Sequence, residues 1–163
     1  IFGYKNWAAI NQQLYGQSAI AKLRAPVVAE DYDPAGHYGG PAESEEHKRL
    51  KAWVANNPTG IGLAATFDEV EEEARLLSGD EIDVMFTSGN SYRLVEVKSR
   101  RSNDMDFQRG IYQCVKYREV KKAEHAPLEI DVEAILVTER ELNPESKARA
   151  RLLGVKLRVV SID

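Results

Sequence analysis

Glu96 and Lys98 stand two residues apart in Tyr92–Lys98 (YRLVEVK), a run whose β-branched and aromatic residues predict a strand. Side chains of a strand alternate between faces. Val95 and Val97 therefore point into a core, while Leu94, Glu96 and Lys98 share the other side. An acid and a base held in this way on one rigid strand sit close together. Asp83 falls in the preceding run Glu81–Thr87 (EIDVMFT), and Ser88-Gly89-Asn90 between the two runs predicts a hairpin that brings a second carboxylate near Glu96. Two converging carboxylates are hard oxygen donors suited to Mg²⁺ or Mn²⁺. A cation so placed polarises a phosphodiester and acidifies water. The Lys98 ammonium orients that water or offsets charge developing on phosphorus. Phosphodiester cleavage needs this set of parts. A Glu-x-Lys pair on an exposed strand is also a common surface feature, so the neighbouring elements must decide.

Those elements follow a clear order. Ala42–Asn57 predicts a helix, with Leu50, Trp53 and Val54 as its apolar stripe and Pro58 as its stop. Residues 69–77 suit either a helix or a half-exposed strand, and we favour a strand from about Glu71. The hairpin comes next. A long helix then runs from Asp104, taken as the N-cap, to Glu124. Ile130–Thr138 predicts a strand, Pro144–Leu153 a basic helix capped by Asn143, and Val155–Ile162 a last strand. A mixed sheet with helices on both faces packs this order most economically.

Asp83, twelve intervening residues and then Glu96-Val97-Lys98 resemble the PD-(D/E)xK restriction-endonuclease-like nucleases, with Ile82 where the proline of the name would stand. The resemblance spans about residues 42–138. It implies an α/β fold with an αβββαβ core, here with an extra C-terminal helix and strand. It also implies a Mg²⁺-dependent (or Mn²⁺-dependent) deoxyribonuclease in which Asp83 and Glu96 bind the metal, with Val97 counted among the metal contacts, and Lys98 assists the attacking water. In the long helix Gln113 and Tyr117 are four apart, on one face. This Gln-x-x-x-Tyr pattern resembles the subset that includes nuclease domains of bacterial recombination exonucleases, where the pair supports the catalytic centre. The first helix of such nucleases often adds a carboxylate. Glu46, bordering the apolar stripe, is our choice and Glu43 the second. His47, beside that stripe, fits packing or capping better than a catalytic base.

Composition bounds the rest. The 163 residues suffice for one domain with a core. The Asp-, Gly- and Pro-rich stretch over residues 30–41 reads as a linker, dividing a helical appendage over 1–40 from a nuclease domain over 41–163. The chain starts at Ile1 and is expected to be the C-terminal part of a larger bacterial protein. One cysteine, Cys114, excludes an internal disulfide and a cysteine-rich zinc site, and suits a reducing cytoplasm. No His pair has zinc-ligand spacing, and there is neither a Gly-x-Ser-x-Gly elbow nor a phosphate-binding Gly-x-x-x-x-Gly-Lys loop. The net charge is −4, yet eight bases against three acids crowd residues 98–122. Among them, Arg100, Arg101, Arg109 and Lys116 are the expected contacts to a DNA backbone, contacts that carry little sequence information. The expected partners are DNA, an upstream domain and, as a further option, a second copy. The competing readings are an inactive DNA-binding module with this fold, and a structural domain whose motif is accidental.

Overall fold

The computed structural model describes residues 44–162. The expected helical appendage, the linker over 30–41 and Glu43 lie outside that range.

Within it the chain runs α1 (Glu45–Asn56), a short 3₁₀ turn (Pro58–Ile61), β1 (Glu69–Arg75), β2 (Glu81–Ser88), β3 (Ser91–Lys98), α2 (Asp104–His125), β4 (Asp131–Thr138), α3 (Pro144–Leu152) and β5 (Lys156–Val159). The ambiguous segment is a strand, beginning at Glu69 rather than near Glu71. Five strands form one sheet in the order β1-β2-β3-β4-β5. β1, β2 and β3 are antiparallel meander neighbours, whereas β4 and β5 join in parallel through the α2 and α3 crossovers. This is the restriction-endonuclease-like αβββαβ core with a helix and strand added at its end.

Local chemistry sets the boundaries. Ser44 caps α1 by accepting from the His47 N–H, and Glu45 and Glu46 place negative charge at its positive end. The cap of α2 is Asn103, not the expected Asp104. Its side chain accepts from Met105 and Asp106 N–H, and Asp106 accepts from the Asn103 N–H in return. Asp104 becomes the first helical residue. Asn143 caps α3 as expected, accepting from Ser146 N–H. In the β2–β3 hairpin Ser88 pairs with Ser91, which leaves a two-residue loop. Gly89 takes φ 55° at its first position, a conformation that costs glycine nothing.

Both faces of the sheet are covered. On one, Leu50, Val54 and Ile61 pack on Val84, Phe86, Val95, Val97, Ile135 and Val137. On the other, Phe107, Ile111 and Cys114 of α2 pack on Ala134 and Leu136, while Tyr117 joins Ile82, Met85 and Leu94. The alternation expected for β3 therefore holds, and α2 roofs the side that carries Leu94, Glu96 and Lys98. Cys114 is buried and its thiol pushed well above its ordinary pKa, chiefly by burial, so it packs rather than reacts.

The roof is tight at one point. A Cβ on Gly110 would lie 2.9 Å from Leu136 Cδ1 and 3.1 Å from Lys98 Cε. Gly110→Ala gains about 1 kcal/mol of helix propensity, but overpacking typically costs about 1–3 kcal/mol. We expect a net loss of about 1 kcal/mol in urea unfolding, with the Lys98 stem displaced.

Candidate active site

Asp83 sits at a break in the sheet. The β1–β2 register passes from Glu72↔Val84 to Ala74↔Ile82, and the β2–β3 register stops at Val84↔Val95, so Asp83 belongs to neither ladder. Its side chain takes over part of the pairing: Asp83 Oδ2 accepts from the Val97 N–H at 2.8 Å. Asp83 Oδ1 lies 3.2 Å from His47 Nε2. Opposite the break, Glu73 adopts φ 56°, a left-handed conformation that a strand residue other than glycine seldom adopts. Its carboxylate pairs with Lys51, a buried lysine of α1.

From Glu96 the contacts continue through α2. Lys98 Nζ donates to Glu96 Oε1 at 2.6 Å and to Gln113 Oε1 at 3.3 Å, and Gln113 Nε2 donates to the Tyr117 hydroxyl at 3.1 Å. The Glu96 side chain is only 4% exposed and that of Lys98 14%. A carboxylate–ammonium pair so enclosed is no surface ion pair. Gln113 and Tyr117, four apart on α2, thus meet through their tips, and Gln113 contacts Lys98.

Electrostatics separates the two carboxyls. Burial raises the pKa of Glu96, the negative charge of Asp83 raises it further, and Lys98 compensates only in part, leaving it at about 7. Burial also works against ionised Asp83, but the His47 hydrogen bond and charge, the Val97 N–H and Lys98 outweigh it and hold its pKa below the ordinary value. Lys98 is pushed down by burial but more strongly up by Glu96 and Asp83, and stays protonated. Burial and the charge of Glu96 raise Tyr117, which stays a neutral phenol.

Two mutually repelling carboxyls beside one another suit a hard divalent cation, which would offset the repulsion that helps raise the Glu96 pKa. Among the described residues no three His, Cys, Asp or Glu side chains gather as a metal-holding group. Protein ligation would therefore rest on the two carboxylates, with water completing the shell, as Mg²⁺ commonly accepts. The Val97 side chain is in the core, so only its backbone carbonyl is available to a cation.

The remaining expected residues scatter. Glu46 lies 3.0 Å from Arg101 Nε, and it is His47, one position later, that reaches Asp83. His47 is a site residue that sequence reasoning set aside as packing or a cap. His47 and Lys51 are four apart and share one side of α1, but that spacing does not say which strand the side meets. Glu73 carried no signal in its spacing. Its role comes from a backbone conformation. Arg100 turns to Glu139, its N–H donating to Oε2 at 2.9 Å, and Lys116 is held by Asp80 at 2.7 Å. Arg118, Lys121 and Lys122 likewise meet acids. Of the eight bases over residues 98–122, only Arg109 lacks an acidic partner among the described residues.

No protein-family model matches the chain, and no curated protein matches it. Solved structures that share its fold include the following three. A repair endonuclease from Pyrococcus abyssi superposes with a TM-score of 0.55 at 21% identity, over 75% of this chain and 50% of that one. EndoMS in complex with dsDNA gives 0.55 at 20% identity, over 82% and 49%. EndoMS in apo form gives 0.53 at 20% identity, over 75% and 49%. The chain therefore spans about half the length of these structures. Over that span it has the fold of the repair endonucleases.

Proposed function

We propose that this chain is a deoxyribonuclease domain that hydrolyses phosphodiester bonds with a divalent cation, Mg²⁺ or Mn²⁺, held by Asp83 and Glu96. The observation that carries the reading is the enclosed, unbroken contact chain from Glu96 through Lys98 and Gln113 to Tyr117, beside an Asp83 excluded from both strand ladders. A surface pair has no reason to be buried, roofed and buttressed in this way. The similar repair endonucleases, one of them solved with dsDNA, support DNA as the substrate class.

The cation, when bound, polarises the scissile phosphate and makes water a better nucleophile. The protein's own groups do the rest. Lys98 presents a fixed positive charge to the oxygens on which negative charge grows as the water oxygen bonds to phosphorus and the P–O ester bond breaks. Gln113 holds that ammonium, and Tyr117 holds the Gln113 amide. The Gln-x-x-x-Tyr pair is thus assigned a supporting role. His47 fixes one oxygen of Asp83 and the Val97 N–H the other. Arg100, Arg101 and Arg109 follow β3 or lie on α2, where a strand entering the site would pass. The reading includes a setting in a larger polypeptide with DNA as partner. No described helix is long and apolar enough to cross a membrane.

The test is cleavage of supercoiled, linear and single-stranded DNA with Mg²⁺, Mn²⁺ or EDTA. We expect products with either cation and none in EDTA. Turnover that persists in EDTA would defeat the metal assignment, and DNA binding with no cleavage under any condition would favour the inactive module instead.

A further inference from the structure

The outward face of α2 carries a groove of about 380 Å³ lined by Met105, Gln108, Arg109, Tyr112, Gln113 and Lys116. Residues 105, 109, 112, 113 and 116 recur at the helical period, so the groove is one continuous stripe. It adjoins the proposed active site through Gln113, which lines the groove and accepts from Lys98 at 3.3 Å. Its apolar members are unusually open: Met105 is 75% and Tyr112 51% exposed, and neither belongs to a core cluster.

We propose that this stripe binds single-stranded DNA, with an unpaired base stacked on the Tyr112 ring and the adjoining phosphate on Arg109. The inference rests on the deoxyribonuclease reading and adds to it the form of the substrate. Three features favour this occupant. An exposed phenol offers a flat π-face to any base, and stacking of this kind is what single-strand binders use. Arg109 is the base of this region with no acidic partner among the described residues, and it stands three residues, about one helical turn, before Tyr112 on the same face. A duplex would keep its bases paired and unavailable to a ring on the helix surface, so an aromatic next to an uncompensated cation selects an unstacked strand. Met105, at the far end, supplies an unbranched, polarisable surface for a second base. Lys116 is less available, since Asp80 holds it.

The test is fluorescence anisotropy of the whole chain with end-labelled single-stranded and duplex oligonucleotides of one sequence, in EDTA so that nothing is cut. Tyr112→Ala is expected to weaken single-strand binding roughly 5- to 150-fold, the span of one lost stacking contact. Duplex binding should change little. Tyr112→Phe keeps the ring and should bind single strands like wild type, and circular dichroism melts of both variants report whether the fold persists. Single-strand binding unchanged in Tyr112→Ala would overturn the proposal, as would equal losses for single strand and duplex. The two readings fail separately. Cleavage that ignores Tyr112 removes this inference and leaves the nuclease, whereas Tyr112-dependent binding without cleavage under any cation removes the nuclease and leaves the groove.

Discussion

Lys98→Ala is expected to lower the rate of DNA cleavage by about 10²–10³-fold, the usual cost of removing one preorganised charge from the place where negative charge develops. Two further readouts separate this from a general collapse of the site. Lys98 now competes for Glu96 through a 2.6 Å ion pair, so its removal should leave Mn²⁺ affinity, followed by calorimetry across pH, undiminished in the limit where Glu96 is ionised. Loss of the partner also pushes the Glu96 pKa higher, so the buried carboxyl takes up a proton rather than remaining as an unpaired charge. The fold should therefore survive, with a transition midpoint that drops but does not vanish. A variant that cuts DNA at the wild-type rate would remove Lys98 from the chemistry.

The second large effect is one of pH, and it comes from Glu96. A cation needs the ionised carboxylate, whereas the cation-free protein holds this group at about 7. Divalent affinity should accordingly fall about tenfold for each pH unit below 7, and binding near neutrality should release a proton. Stability without metal moves in the opposite sense. The folded pKa lies above the ordinary value of 4.5, so between about 4.5 and 7 the folded state binds more protons than the unfolded one. The Glu96 contribution is complete below the lower limit and is lost as pH rises through the upper, a change on the order of 3 kcal/mol. Asp83 has the reverse sign: its pKa is lowered, so its contribution is present above 3.8 and is lost as pH falls. Glu96→Gln should flatten the dependence between 4.5 and 7, measured by urea unfolding across that range. A slope that is unchanged in this variant would assign the effect elsewhere.

Most of the proposed site could be assembled from the amino-acid order alone, for a physical reason. Glu96 and Lys98 are two apart on one strand, and Gln113 and Tyr117 four apart on one helix, and the period of each element places such pairs together whatever surrounds them. The order of elements fell out of the same periodicities, down to the mixed sheet. Tertiary structure alone decided what crosses between elements. That His47 rather than Glu46 touches Asp83 depends on the rotation of α1 over the sheet, to which the sequence near Leu50 is indifferent within one residue. That Glu73 is left-handed depends on the ladder opening at Asp83. The basic stripe shows the limit best. As a string, residues 98–122 carry a surplus of positive charge, but folding brings Asp80, Glu119, Glu124 and Glu139 against most of it. Charge adds along a sequence, whereas its field depends on distance, and among the described residues it is Arg109, beside Tyr112, that the acids leave without a partner.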